Sequence, residues 1–284
     1  MTGRRFTQVE VFAAGPLTGN PLAVVLDADG LDEAAMASFA RWTGLSETTF
    51  LLPPRAVGAD YRVRIFTPTE ELPFAGHPTL GSAYAWLDAG GVPTGPDIVQ
   101  ECGAGLVRVR RSGARLAFAA PPLTRSGPLD PATLERVCQC LAVRAEEVVD
   151  HAWGVNGPRW AMVRLASAEQ VLALRPQAAV LAGATAADRL DVGVCGMAAP
   201  GSDHAYEVRA FVAPPAPAED PVTGSLQAAL AQWLRGQGAV PASYRARQGR
   251  ALGFDGWVRI DDDGTDIWVG GQVAVRVRGT VNLG

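Results

Sequence analysis

Lysine is absent from this chain of 284 residues, and every one of its 25 basic residues is arginine. The sequence therefore excludes reactions that depend on a lysine amine. These include a pyridoxal Schiff base, a lysine nucleophile and the phosphate loop of Walker-type nucleotide-binding proteins. Coding in GC-rich DNA, which favours Arg, Ala and Gly, accounts for the absence, and the chemical exclusion holds whatever its cause.

Cysteine and histidine are also scarce. The 4 cysteines form no C-x-x-C pair, and the 3 histidines show no H-x-H or H-x-x-x-H spacing. We therefore expect reduced structural thiols and no metal site. The residues concerned are Cys102, Cys138, Cys140, Cys195, His77, His151 and His204.

Charge and hydropathy exclude two further classes of partner. The formal net charge is −4, without the basic stripe that nucleic-acid binding requires. No apolar run approaches the roughly 20 residues that span a bilayer. The first residues, MTGRRFTQVEVFAAG, contain no apolar block before a cleavage site, so they predict a first strand and not a signal peptide. We expect a cytoplasmic protein without nucleic-acid or membrane partners.

Two similar stretches indicate an internal duplication. EELPFAGHPTLGSAYAWL begins at Glu70, and PAEDPVTGSLQAALAQWL begins at Pro217. Each passes from acid and proline through a glycine into an Ala-rich helix that closes on Trp-Leu. A strand, a turn containing Gly, Asn and Pro, and a second strand precede the motif in each half, as TGNPLAVVL and VNGPRWAMVRL show. Chance similarity among short Gly/Pro/Ala strings is the alternative.

The duplication predicts two α+β halves, 1–120 and 121–284, joined at the Pro-rich stretch APPLTRSGPLDP. The last strand is expected to return to the first half. Alternating residues predict strands that include 48–52 and 61–67. Near the carboxyl end, the pattern predicts separate short strands at 267–269 and 273–277, divided by a glycine turn.

The repeated motif places a helix start in each half. A helix amino terminus offers unbonded N–H groups and about half a positive charge, so it can hold a carboxylate or phosphate. If the halves face one another, the two ends would hold one small anionic metabolite and stabilise charge as a proton leaves carbon.

Three residues can exchange that proton, and each has an ordinary structural interpretation. Glu47 in GLSETTFLL could be a solvated surface residue, and Asp220 could cap its helix. His77, before a helix-starting proline, could be a satisfied structural histidine. Ser225 lacks the G-x-S-x-G elbow and is more often a cap than a nucleophile.

Several motifs, in the same order over nearly the whole chain, resemble the phenazine biosynthesis PhzF-like family. They are VFAAGPLTGNPLAVVL, GLSETTFLL, RIFTPTEELPFAGHPTLGSAY, AEDPVTGSLQAALAQWL and YRARQGRALGFDGWVRI. The resemblance implies a diaminopimelate epimerase-like fold. In this α+β fold, two pseudo-symmetric halves each wrap a curved, mostly antiparallel sheet around a central helix, with the active site between them.

The resemblance also implies roles at matching positions. Glu47 corresponds to the family's general acid/base, with His77 and Asp220 as its catalytic partners. A second set of residues would bind the substrate: Asn20, Gly76, Gly224 and Ser225. The implied protein is a homodimeric isomerase of secondary metabolism that needs no cofactor or metal. The family's well-studied reaction is the isomerisation of trans-2,3-dihydro-3-hydroxyanthranilate in phenazine biosynthesis.

Cofactor-independent racemases that share the implied fold use a cysteine at each helix start, and neither repeated motif contains one, which argues against a racemase with two thiol bases. We predict that Glu47, with a pKa raised by burial, removes a proton from one carbon and returns it to another on the same face. Two alternatives stay open at this point. One is an epimerase that uses Glu47 and Asp220 as bases on opposite faces, and the other is a non-catalytic ligand-binding protein. The identity of the substrate is not encoded in these patterns.

Overall fold

A computed structural model describes most of the chain. The described residues are 3–113, 115–177, 180, 190–213 and 219–283. The first two residues of the second motif, 217–218, lie outside them. The chain divides into two compact units, of which unit 1 comprises 1–119 with 270–284 and unit 2 comprises 120–269.

The described secondary structure is as follows. The helices are α1 (Glu33–Thr43), α2 (Gly76–Asp88), α3 (Pro131–Leu141), α4 (Ala168–Ala173) and α5 (Gly224–Gly236). The strands before α3 are β1 (Arg4–Val11), β2 (Asn20–Val25), β3 (Thr48–Leu52), β4 (Tyr61–Phe66), β5 (Glu71–Leu72), β6 (Ile98–Cys102), β7 (Gly105–Ser112) and β8 (Arg115–Ala119). Those after it are β9 (Val148–Val155), β10 (Arg159–Leu165), β11 (Asp191–Met197), β12 (Tyr206–Phe211), β13 (Glu219–Asp220), β14 (Ser243–Gln248), β15 (Gly256–Asp262) and β16 (Ile267–Val281).

In unit 1 the strands surround helix α2. They follow the order β1-β2-β3-β4-β6-β7-β8, and β16 pairs with both β8 and β1, so the strand path closes. Most pairs are antiparallel, whereas β2–β3 and β4–β6 are parallel. The residues of α2 from Gly76 to Ala83 are all buried, which explains why this helix is built from small and apolar residues on every side.

Helix α1 covers the outer face of the same sheet. Its N-cap Asp32 accepts a hydrogen bond from the backbone N–H of Ala35 at 2.8 Å, and Gly44 ends it in the left-handed conformation. Met36 and Phe39 pack from this helix against Phe50 and neighbouring apolar side chains of the strands. Burial of each such side chain contributes about 1.5–3 kcal/mol.

Unit 2 repeats this plan with a central and an outer layer of helices. Its strands follow the order β15-β14-β12-β11-β10-β9, and α5 packs against β9, β10 and β15. Helix α5 has 13 residues, as α2 does, and both begin at the glycine of their motif. Val137 of α3 and Val171 of α4 belong to a separate apolar cluster with Val163 and Val194.

The predicted break near the carboxyl end is wrong. The chain runs through Gly270 and Gly271 as the single strand β16, without a turn. Gly270 is needed for close packing, because a Cβ atom there would lie 2.6 Å from the carbonyl oxygen of Leu116. A glycine pair that predicts a turn from sequence therefore marks a close approach between two strands.

Candidate active site

The candidate residues of unit 1 form one buried cluster. Nε2 of His77 lies 3.4 Å from Oε2 of Glu47, and Nδ1 lies 3.3 Å from Nδ2 of Asn20. The side chain of Glu47 is 14% exposed and that of His77 is 3% exposed. Glu47 is therefore not the solvated surface residue that its polar surroundings in the sequence allowed.

The topology of unit 1 accounts for this cluster. Asn20 opens β2, and Glu47 immediately precedes β3. These two strands pair in parallel, with Ala23 opposite Thr48, so the start of β3 lies beside β2 three residues after Asn20. Helix α2 packs against both strands and carries His77 as its second residue. Residues that are 57 positions apart, Asn20 and His77, thereby come into hydrogen-bonding contact.

Burial determines the charge of His77. Loss of solvent lowers the pKa of the imidazole to about 3, although a hydrogen bond to the Pro21 carbonyl opposes this shift. The ring is therefore neutral at pH 7, and its contact with Glu47 is not an ion pair. Asn20 Nδ2 is a donor and the Pro21 carbonyl is an acceptor, so either neutral tautomer of the ring finds a partner.

The amino termini of the two central helices differ from those of the outer helices. Asp32, Asp130 and Ser167 cap α1, α3 and α4 through their side chains. The corresponding residues of α2 and α5, Ala75 and Thr223, make no side-chain capping bond. The first-turn N–H groups of α2 and α5 are thus not capped by these residues, which suits a bound anion.

A hydrogen-bonded network fixes the start of α5 in unit 2. Thr223 Oγ1 donates to Asp220 Oδ2 at 2.6 Å. Gln248 Nε2 donates to Thr223 Oγ1 at 2.9 Å and to the Asp220 carbonyl at 3.1 Å. Gln248 Oε1 accepts from the backbone N–H of Thr223 and from Gln227, both at 3.1 Å. The carboxylate of Asp220 is thereby held beside the first turn of the helix.

Gly224 and Ser225, the first two residues of α5, are also buried. Ser225 is inside the helix and so is not its N-cap. Its hydroxyl accepts a hydrogen bond from Trp160 Nε1 at 3.1 Å, and its carbonyl accepts one from Asn156 Nδ2 at 2.9 Å. Both donors flank the turn between β9 and β10.

Sequence reasoning did not single out Gln248, Asn156 or Trp160. For Gln248 a signal was present, because the alternation in YRARQ places it on the same side as the buried residues Tyr244 and Ala246. For Asn156 and Trp160, the signal was the similarity of the VNGPRW stretch to the TGNP turn that contains Asn20.

The structure also describes the cysteines and the acidic and histidine side chains that could ligate a metal. All four cysteines are free and buried, and burial raises the pKa of Cys195 to about 12. None lies in α2 or α5. Within the described residues, no group of three or more His, Cys, Asp or Glu side chains could hold a metal ion. No helix among them is long and apolar enough to cross a membrane.

Comparison with known proteins decides the family. Residues 9–282 match the family model PhzC-PhzF, described as phenazine biosynthesis-like protein. The chain belongs to this family. The PhzF resemblance found in the sequence is thereby confirmed.

Relatives of this PhzF-family chain include named isomerases. A Schizosaccharomyces pombe protein, antisense-enhancing sequence 1, is 32% identical over 98% of this chain and 99% of its own. A Pasteurella multocida protein named an uncharacterized isomerase is 30% identical over 96% of this chain and 92% of its own. The trans-2,3-dihydro-3-hydroxyanthranilate isomerase of Pseudomonas fluorescens is 57% identical, over 27% of each chain. The prediction that the chain is an isomerase of the PhzF family is confirmed.

Solved structures confirm the fold. A Bacillus anthracis phenazine biosynthesis protein of the PhzF family aligns with a TM-score of 0.82 and 22% identity, covering 99% of this chain and 100% of that one. A probable proline racemase from Agrobacterium radiobacter aligns with a TM-score of 0.64 and 15% identity, over 99% and 93% of the chains. The α+β, epimerase-like fold predicted from the sequence is therefore correct.

Proposed function

We propose that this PhzF-family isomerase shifts a proton along the conjugated system of a small carboxylate-bearing metabolite, with Glu47 as the general acid/base. The substrate is trans-2,3-dihydro-3-hydroxyanthranilate or another natural-product intermediate of the same type. The contact between Glu47 and His77 in a buried setting is the observation that carries the proposal. No cofactor or metal takes part in the proposed steps.

The proposed reaction uses one base. The Glu47 carboxylate removes a proton from carbon, the negative charge spreads over the conjugated system, and the carboxylic acid returns the proton to another carbon on the same face. His77 supports both states of Glu47, because its neutral ring can direct either a proton or a lone pair at the carboxyl group. The N–H groups of Gly76 at α2 and Gly224 at α5 are suited to the carboxylate of the substrate and to the charge that develops on it.

Asp220 and Ser225 have supporting roles in this proposal. Thr223 and Gln248 fix the carboxylate of Asp220, which can accept a hydrogen bond from the amino or hydroxyl group of a substrate. Ser225 can donate its hydroxyl hydrogen to a substrate carboxylate, since its oxygen already accepts from Trp160. That the two helix ends hold one ligand stays a prediction from the sequence.

The substitution Glu47→Gln tests the proposal. With trans-2,3-dihydro-3-hydroxyanthranilate as substrate, we expect turnover to fall by about 10²–10⁴-fold, the usual contribution of general acid/base catalysis. The movement of the double bond is followed by ultraviolet absorption. Glu33→Gln is the matched control, because Glu33 is an exposed carboxylate of α1 that bonds to Arg64, and its turnover should stay within about twofold of wild type. A Glu47→Gln enzyme within about tenfold of wild type contradicts the proposal.

The reaction in D₂O separates isomerisation from epimerisation. An isomerase changes the ultraviolet spectrum as the conjugated system is rearranged. An epimerase places deuterium at a stereocentre and leaves the double bonds where they are. Deuterium at an unchanged chromophore would therefore favour a mechanism with two bases over the one proposed.

A further inference from the structure

The turn between β9 and β10 makes two hydrogen bonds to a single residue of α5. Asn156 Nδ2 donates to the carbonyl oxygen of Ser225 at 2.9 Å, and Trp160 Nε1 donates to its hydroxyl oxygen at 3.1 Å. All three residues are nearly inaccessible to solvent, with exposures of 4% for Asn156, 3% for Trp160 and 3% for Ser225.

The first bond fixes the orientation of the Asn156 carboxamide. A carbonyl oxygen can only accept, so the amide nitrogen must face Ser225 and the amide oxygen must point to the other side of the group. This oxygen, Oδ1, is buried and has no hydrogen-bond partner among the described residues. Buried polar atoms are almost always paired in native proteins, and an exception calls for an explanation.

The second bond fixes what Ser225 can offer to a ligand. The indole N–H of Trp160 is a donor only, so the Ser225 oxygen is its acceptor. The hydroxyl hydrogen of Ser225 is left for another acceptor, such as a carboxylate. The first turn of α5 thus presents hydrogen-bond donors, and Asn156, which bonds to the same serine, carries an unpaired acceptor.

A structural role alone does not account for this arrangement. The bond to the Ser225 carbonyl uses only the nitrogen of Asn156. A purely structural contact leaves the amide oxygen buried, and no group among the described residues offsets the cost of burying it. A ligand with an N–H or O–H group would remove that cost when it binds, and it would do so next to the donors that hold its carboxylate.

We propose that Asn156 is a specificity-determining residue of the α5 site, whose amide oxygen accepts a hydrogen bond from an amino or hydroxyl group adjacent to the ligand carboxylate. Trp160 acts as a positioning residue that directs the Ser225 hydroxyl to that carboxylate. The inference rests on the proposed function for the location of the ligand, and it concerns binding alone.

Two ligands that do not react, anthranilate and benzoate, test the proposal by isothermal titration calorimetry. Both carry a carboxylate on an aromatic ring, and only anthranilate has the adjacent amino group. We expect the wild-type protein to bind anthranilate about tenfold more tightly than benzoate. Asn156→Ala should weaken the affinity for anthranilate about tenfold and keep the affinity for benzoate within about threefold of wild type. The variant should therefore no longer prefer anthranilate.

Thermal unfolding without ligand separates binding from structure. Asn156→Ala loses one hydrogen bond but also removes an unpaired acceptor, so the two effects oppose each other. We expect the unfolding midpoint to stay within about 3 °C of wild type. Trp160→Phe removes the N–H donor together with part of the buried ring, and it should weaken the binding of both ligands to the same extent, because Trp160 acts through the hydroxyl that meets their carboxylate.

Several results would overturn the assignment. They are an absence of preference for anthranilate in the wild-type protein, an equal loss of both ligands in Asn156→Ala, and a midpoint lowered by more than about 10 °C in that variant. The proposed function fails on a different measurement, the turnover of Glu47→Gln. A protein that prefers anthranilate but does not depend on Glu47 would support the binding inference and contradict the proposed mechanism.

Discussion

The burial of a neutral histidine predicts that the protein loses stability in acid. His77 is 2% exposed, and burial lowers the pKa of its imidazole to about 3. In the unfolded chain the same group titrates near 6.5. Between these values the unfolded chain binds a proton that the folded protein does not. The contribution of His77 to stability is therefore fully present above pH 6.5 and is lost progressively as the pH falls toward 3.

The expected size follows from the two pKa values. Each pKa unit corresponds to about 1.4 kcal/mol, so a drop from pH 7 to pH 5 should lower the free energy of unfolding by about 2 kcal/mol through His77 alone. The Glu47 carboxylate acts in the opposite direction, since it favours a protonated ring. Burial is expected to dominate, because the ring is almost completely desolvated and desolvation is the largest cause of its lowered pKa.

Urea unfolding of wild type and His77→Gln at pH 7 and pH 5 measures this effect. Titrations shared by both proteins cancel in the difference between them, and that difference should change by about 2 kcal/mol in favour of the variant at pH 5. Thr79→Ala is the control, because it removes a buried hydroxyl of the same helix that cannot titrate, so its cost should be equal at both pH values. A difference that is constant with pH, or that favours wild type in acid, refutes the argument.

Two further substitutions test the packing at the start of α4 and the hydrogen bonds at the start of α5, each by urea unfolding beside a matched control. Gly196→Ala should lower the free energy of unfolding by several kcal/mol, because a Cβ atom there would lie 2.1 Å from the carbonyl oxygen of Ser167, the N-cap of α4. Its control is Gly279→Ala on β16, where an added Cβ atom would have no neighbour within 4 Å, and this variant should leave the free energy of unfolding unchanged. A small effect at Gly196 would contradict the close packing. Gln248→Leu should lower the free energy of unfolding by about 3 kcal/mol, because Thr223 and its neighbours lose buried hydrogen-bond partners. Its control is Gln272→Leu at an exposed position of β16, whose free energy of unfolding should stay within about 0.5 kcal/mol of wild type. Equal effects of the two leucine variants would show that the network is not needed.

Local patterns predicted the elements whose side chains alternate or repeat regularly. The strand predicted at 61–67 from its alternating residues corresponds to β4, Tyr61–Phe66. This alternation depends on neighbouring residues only. The same holds for the central helices, whose motifs place a glycine at each start.

Strands β6 and β14 were not predicted, because each turns a glutamine inward. Gln100 and Gln248 are fully buried. Each is tolerated only because residues distant in the sequence complete its hydrogen bonds: Gln100 donates to Thr79 of α2 and accepts from Tyr61, and Gln248 bonds to the start of α5. A local sequence pattern contains no information on such partners, so a buried polar residue there resembles a surface residue.

The candidate site shows the same limit. The residues of the two motifs could be found by their similarity to each other, whereas Glu47 was one of three candidates until the family resemblance assigned it the role of general acid/base. Its contact with His77 depends on the parallel pairing of β2 and β3 and on the packing of α2 against both strands. The neutral state of His77 depends on burial, which the sequence around it does not indicate.

The duplication also explains how one plan supports two kinds of chemistry. Each unit buries a central helix whose N-cap residue makes no side-chain capping bond, and each ties that helix to a strand through a buried glutamine. The residues at the helix start differ. In unit 1 they are ionisable, with His77 and Glu47 suited to exchanging a proton. In unit 2 hydrogen bonds hold the carboxylate of Asp220 beside the helix start, and the hydroxyl of Ser225 and the amide of Asn156 are suited to binding without a change of charge. Because Glu47 is proposed to exchange a proton and Asn156 to bind the ligand, substitutions at Glu47 should lower turnover more than binding, and substitutions at Asn156 should lower binding first.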